Sequence, residues 1–137
     1  MASEYGFEGI GVGEEAFLRL YPRFAASGAE HAYHAHSLWL QLLLMLGVCG
    51  MLIFLVMTFF FYQRGFTVAS ATKDKDISRL VYGSMSGITG ILVSGLFDYS
   101  WYNYRVFFAY FVVMGFVCAC ADVTRAEAKG GNYGYEW

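Results

Sequence analysis

A long run without a charged side chain, residues 37–62, most constrains what this chain can fold into. As one α-helix it would be about 39 Å long, which exceeds the ~30 Å hydrocarbon core of a bilayer. Two further uncharged runs follow, at residues 80–97 and 106–121. The sequence therefore predicts an all-α, polytopic membrane protein with three transmembrane helices.

The composition agrees with a membrane protein. Hydrophobic residues make up 58% of the chain and charged residues 15%, whereas ordinary soluble domains carry about a quarter charged residues. A net charge of -2 gives no reason to expect a nucleic-acid partner. The three cysteines, Cys49, Cys118 and Cys120, lie inside the apolar runs, which is typical of small buried side chains. We expect no metal site and no cofactor.

The distribution of positive charge predicts the orientation. Lysine and arginine are concentrated between the first two runs and after the third: Arg64, Lys73, Lys75, Arg79, Arg125 and Lys129, against Arg19, Arg23 and Arg105 elsewhere. Because cytoplasmic loops carry the excess of positive charge, the loop and the tail should be cytoplasmic. The predicted order is an extracytoplasmic segment 1–36, helix 37–62, cytoplasmic loop 63–79, helix 80–97, extracytoplasmic turn 98–105, helix 106–121 and cytoplasmic tail 122–137.

The segment 1–36 contains no positively charged stretch followed by an apolar core, as a signal peptide would. Something upstream would normally carry such a segment across the membrane. We therefore expect this chain to be the C-terminal part of a larger polytopic protein. Its partners would then include N-terminal helices of the same protein.

The second helix is expected to pack through its small residues. Gly83-x3-Gly87 and Ser86-x3-Gly90-x3-Ser94 form two stripes at helical spacing. Small residues allow close approach between helices in lipid. Leu92 is expected to face lipid, and this packing should bring the turn 98–105 beside the start of the first helix.

All three histidines, His31, His34 and His36, lie just before the first apolar helix. An ionisable side chain at the mouth of a membrane helix is a candidate functional residue. Interfacial anchoring is the alternative role for these histidines. A metal site of the form His-x2-His-x-His is less favoured, because its one nearby carboxylate is Glu30.

The motif His36-Ser37-x9-Gly47-x2-Gly50 resembles the histidine signature of O-antigen ligases and related O-antigen polymerases. The stretch Phe97-Asp98-Tyr99 and the residues from Trp101 onward also look like a region of family members from Gram-positive bacteria. The resemblance extends over most of this chain. It covers only the C-terminal third or so of a typical member.

The resemblance implies a glycosyltransferase in the bacterial inner membrane whose active side lies outside the cytoplasm. Its donor would be a glycan on undecaprenyl diphosphate, and its acceptor a lipid or another glycan. His36 would be the catalytic base, since a sugar hydroxyl is a poor nucleophile and histidine titrates near neutral pH. His34 would bind substrate.

The diphosphate leaving group needs cations, and the planar guanidinium of arginine suits phosphate oxygens. Arg19, Arg23 and Arg105 are the outward-side cations of the predicted topology, so they are the candidate substrate-binding arginines. Solvated or headgroup-facing charge is the alternative for each.

Two alternative functions stay open. The same parts could serve a polymerase that joins polysaccharide repeat units. A non-catalytic transport or assembly subunit would instead carry ionisable residues in the middle of its helices, and residues 37–62 and 80–97 have none.

Overall fold

A computed structural model describes residues 1–27 and 34–129. The described residues form helices and turns without a strand, which confirms the predicted all-α class. The elements are α1 (Ala2–Tyr5), α2 (Glu14–Leu20), a 3₁₀ turn (Tyr21–Arg23), α3 (Leu38–Ala71), α4 (Lys75–Ser94), a second 3₁₀ turn (Ser100–Tyr102) and α5 (Tyr104–Lys129). His31 and residues 130–137 of the predicted cytoplasmic tail lie outside the described residues.

Two helices are long and apolar enough to cross a membrane: α3 and the Tyr104–Ala126 part of α5. Only 33% of the most apolar stretch of α3 and 17% of that of α5 are buried. A core helix of a soluble protein would be mostly buried. These helices instead present much of their apolar surface outward.

Helix α4 runs antiparallel to α3 along its side. Near one end of the pair, the Ser78 hydroxyl donates to the Ala69 carbonyl oxygen at 3.0 Å. Further along, the hydroxyls of Tyr62 and Thr89 are 2.6 Å apart. From Ser78 to Thr89 the residue numbers on α4 increase, while those of their partners on α3 decrease from Ala69 to Tyr62. The two helices therefore point in opposite directions.

Helix α5 runs parallel to α3 and completes a three-helix bundle. The rings of Phe54 and Tyr110 stack with centroids 6.3 Å apart, and Arg64 lies 3.3 Å from the carboxylate of Asp122 further along both helices. The bundle therefore has two ends, one where α4 ends and α5 begins and one near the connection between α3 and α4.

The helices are longer than the uncharged runs that predict them. Helix α3 continues to Ala71, and most of the predicted loop 63–79 is helical, with only residues 72–74 connecting α3 to α4. Asp74 caps α4, its carboxylate accepting hydrogen bonds from the backbone N–H groups of Asp76 at 2.8 Å and Ile77 at 3.4 Å. Charged residues indicate where the chain becomes exposed to water. They do not indicate where a helix ends, because a helix can continue into water.

Helix α3 is broken at Gly47, whose φ of 67° and ψ of -176° are not helical. The rings of Trp39 and Phe54 have centroids 6.0 Å apart. In a straight helix these two residues would be about 22 Å apart along the axis. The short segment 38–46 therefore folds back beside the long segment 48–71. The predicted single helix 37–62 is thus two segments, and Gly47 forms the bend between them.

The prediction that α4 packs on the other helices of this chain through its small residues is wrong. The buried residues of α4 are Val81, Met85, Ile88 and Leu92, whereas Gly83, Gly87 and Gly90 are exposed. A Cβ added at any of those three glycines would meet nothing within 4 Å.

A glycine that does permit close packing is Gly65 on α3. A Cβ there would lie 2.5 Å from the sulfur of Met85. Large side chains of α4 fill the space between the helices, and α3 makes room for one of them. Leu92, expected to face lipid, is buried in this packing.

Candidate active site at the start of α3

Backbone hydrogen bonds tie the start of α3 to the end of α4. The N–H of Leu38 donates to the carbonyl oxygens of Gly95 at 2.7 Å and Asp98 at 3.2 Å. The hydroxyl of Ser37 also donates to the Gly95 carbonyl, at 3.2 Å. The N–H groups of a first helical turn lack partners within their own helix, and the residues that follow α4 supply acceptors here. The segment that carries His34 and His36 is held in place by these contacts.

Gln41 fixes the backbone between the two histidines. Its side chain is fully buried, and its Oε1 accepts a hydrogen bond from the N–H of Ala35 at 2.8 Å. Trp39 adds a bond from its indole N–H to the Leu92 carbonyl, at 3.1 Å. Sequence reasoning did not single out Gln41 as a positioning residue. The available signal is a polar amide inside an otherwise apolar run.

The imidazole of His34 lies in a cluster of rings. It stacks on Tyr102 with centroids 5.6 Å apart and planes inclined by 12°, and its centroid is 5.5 Å from that of Tyr99. The centroid of the His36 ring lies 5.2 Å from that of His34, with the two planes inclined by 68°. The proximity expected between the turn 98–105 and the histidines is therefore observed.

The two histidines differ in exposure. His34 is half-buried among the rings, whereas His36 is exposed at the rim of the cluster. A half-buried stacked imidazole suits a positioning or binding role. An exposed imidazole can reach a proton on a ligand that enters from solvent.

The three candidate arginines are not gathered around the histidines. Arg19 pairs with Glu15 at 3.5 Å on the exposed surface of α2, and Arg23 lies exposed in the adjacent 3₁₀ turn. The Arg105 guanidinium lies 5.8 Å from the ring centroid of Tyr104. Within residues 1–27 and 34–129, no hydrogen bond joins these arginines to His34 or His36. Arg105 belongs to the predicted turn that reaches the cluster.

Asp98 has the local capping role that the sequence suggested. Its carboxylate accepts a hydrogen bond from the backbone N–H of Tyr99 at 2.8 Å. In the part of the chain that the structure describes, it forms no ion pair with Arg105. Asp98 therefore shapes the turn that presents Tyr99 and Tyr102 to the histidines.

The N-terminal segment supplies the hydrogen bonds that the break in α3 removes. The N–H of Ile10 donates to the Leu44 carbonyl at 2.7 Å, and that of Gly11 to the Met45 carbonyl at 3.2 Å. A Cβ on Gly9 would lie 2.7 Å from the Gly47 nitrogen, so only glycine allows this crossing. Sequence reasoning missed this crossing, although both glycines were visible.

The site is thus an exposed imidazole beside a wall of aromatic rings, at one end of an apolar bundle. Such a site can accept a proton and can pack rings against the apolar faces of a ligand. Among the described residues, no group of three His, Cys, Asp or Glu side chains could hold a metal ion. No protein-family model, curated protein or solved structure matches this chain.

Proposed function

We propose that this chain carries the reactive end of a membrane glycosyltransferase. The enzyme would transfer a glycan from undecaprenyl diphosphate to a lipid or glycan acceptor outside the bacterial cytoplasm. The observation that carries the proposal is the cluster of His34 and His36 with Tyr99 and Tyr102, at one end of the bundle. The resemblance of His36-Ser37-x9-Gly47-x2-Gly50 to the O-antigen ligase signature suggests glycan transfer as the reaction at this cluster.

His36 is the proposed base. It would remove the proton from the acceptor hydroxyl as the glycan leaves the diphosphate, and its exposure leaves it accessible to that hydroxyl. His34 and Tyr102 would form one wall of the substrate site. Their stacked rings offer a flat surface for a sugar.

The diphosphate would be held by arginine. Arg105 is the nearest of the three candidates in the chain to Tyr102, and its exposed guanidinium is free of ion pairs among the described residues. Arg19 and Arg23 remain proposed contributors from the N-terminal segment. Further helices of the same protein, N-terminal to this chain, would supply the remaining cations.

We place α4 in the membrane as a third span. Its uncharged part, residues 80–94, is about 22 Å long, and the uncharged residues 95–97 that follow it extend the apolar stretch toward the ~30 Å of the hydrocarbon core. It also lies antiparallel to both apolar helices, so the chain would cross three times. The charge bias supports a topology with the histidine cluster outside and the connection between α3 and α4 in the cytoplasm. The bacterial inner membrane is the proposed location.

A repeat-unit polymerase would use the same base and the same donor on a different acceptor, so the acceptor class distinguishes it.

A transport subunit is less well supported. Broken helices in transporters expose carbonyl groups that coordinate ions. At Gly47 the neighbouring carbonyls of Leu44 and Met45 already accept hydrogen bonds from the N-terminal segment.

The proposal is tested by glycan transfer in membranes that contain the full protein. His36→Ala should abolish transfer from the polyprenyl diphosphate donor and leave membrane insertion unchanged. Val123→Ala, an exposed position of α5 outside the signature and next to Asp122, is the matched control and should retain transfer. Near-normal transfer by His36→Ala would overturn the assignment. Offering lipid and glycan acceptors in parallel separates ligase from polymerase.

A further inference from the structure

A cavity lies at the end of the bundle opposite the histidines. It opens between α3 and α5 and has a volume of about 420 Å³. Arg64 and Thr67 line it from α3, and Thr124 and Arg125 from α5. The cavity exists because α3 continues past the end of its uncharged run, into residues that the sequence predicted as a loop.

The cavity carries positive charge. Arg64 bridges the two helices by pairing with Asp122 at 3.3 Å, and both side chains are at least half exposed. A guanidinium has five N–H donors, so this pairing leaves Arg64 donors for a second acceptor. Arg125 follows Asp122 by three residues and lies on the same helix face. Two arginines against one aspartate leave one net positive charge among the lining residues.

The rest of the lining is apolar. Val68 and Ala71 of α3 and Ala121 of α5 form the wall beside the charged rim. A ligand that fits both the positively charged rim and the apolar wall has a compact anionic group joined to hydrocarbon. Basic pockets between transmembrane helices on the cytoplasmic side bind anionic lipid headgroups.

We propose that this cavity binds the phosphate of an anionic phospholipid. Arg64 and Arg125 would hold the phosphate oxygens, and the apolar wall would receive the adjoining glycerol and acyl carbons. Arginine suits this role because its planar fork matches two phosphate oxygens at once. The site lies at the far end of the bundle from His36, so it does not depend on the proposed transfer reaction.

The test is the thermal unfolding of the purified protein in neutral detergent, followed by tryptophan fluorescence while a lipid is titrated. Phosphatidylglycerol should raise the midpoint temperature in a saturable manner. Phosphatidylcholine with the same acyl chains should not raise it. Arg125→Gln should weaken the apparent affinity for phosphatidylglycerol about fivefold, the effect of one arginine near an anionic headgroup.

Two further variants keep the test independent of folding defects. Arg79→Gln removes an exposed arginine of α4 that pairs with Asp76 at 3.0 Å and does not line the cavity, so its affinity should stay within about twofold of wild type. Asp122→Asn removes the carboxylate from the rim and should tighten binding, which a damaged protein would not do.

Three results would overturn the proposal. Equal stabilisation by phosphatidylcholine would show that only hydrocarbon is recognised. Equal loss of affinity in Arg79→Gln and Arg125→Gln would show diffuse surface charge. An equal rise in midpoint with inorganic phosphate alone would assign the cavity to a free anion.

Discussion

Replacing Gly47 by alanine distinguishes a broken α3 from a continuous one, because the two possibilities predict opposite signs. In a continuous helix, Gly→Ala at an interior position stabilises by about 0.5–1 kcal/mol. In the broken helix, Gly47 has a φ of 67° with an extended ψ, a combination that is almost exclusive to glycine. Alanine must then destabilise the fold.

The magnitude follows from the backbone conformation and the neighbours of Gly47. Holding a non-glycine residue at these angles costs about 1–3 kcal/mol. An added Cβ would collide with the carbonyl oxygen of Phe7 and lie 2.8 Å from the Glu8 carbonyl carbon. These are backbone atoms, so relief requires the N-terminal segment to move. That movement breaks the bond from the Val48 N–H to Phe7, for a further ~1 kcal/mol.

We therefore expect Gly47→Ala to lower the free energy of unfolding by about 2–4 kcal/mol. The assay is reversible unfolding by SDS in mixed micelles, monitored by tryptophan fluorescence. Gly83→Ala is the matched control, since Gly83 is an exposed helical glycine with open space at its Cβ, and it should be neutral or slightly stabilising. A Gly47→Ala protein as stable as wild type, or more stable, would refute the break.

The packing of α4 and the orientation of the bundle give two further predictions. Leu92→Ala should lower the free energy of unfolding by about 2 kcal/mol because Leu92 is buried. Gly87→Leu should change it by less than about 0.5 kcal/mol. The reverse order in the same unfolding assay would show that the small residues are the packing face. In a cysteine-free background, an impermeant thiol reagent added to intact cells should label Asn103→Cys and not Lys73→Cys. Labelling of Lys73→Cys alone would reverse the orientation.

The apolar helices were predictable because an uncharged run of this length is typical of a helix that crosses a bilayer. The meeting of the histidines with the turn 98–105 was predictable from connectivity: one helix leaves the histidine end and the next returns to it. His34 on Tyr102 is the observed contact. The ends of the helices were not predictable from charge, since Arg64 lies within α3 and pairs with Asp122 across the bundle.

The break at Gly47 could not be predicted from its local sequence. A single glycine in an apolar run reduces helix stability by only about 1 kcal/mol, so it does not by itself show whether the helix bends. The bend depends on Gly9, far away in the sequence, whose backbone crosses Gly47. The packing face of α4 likewise depends on a residue of another helix, because Gly65 of α3 leaves space for Met85 of α4.

The proposed role of His36 is tested most directly by chemical rescue. The purified full protein is given donor and acceptor, and release of polyprenyl diphosphate is measured for His36→Gly with and without added imidazole. We expect the variant to be at least about 100-fold slower than wild type, and imidazole to restore part of the rate by replacing the missing base. A rate within threefold of wild type without imidazole, or a lost rate that imidazole leaves unchanged, would contradict the assignment of His36 as the base.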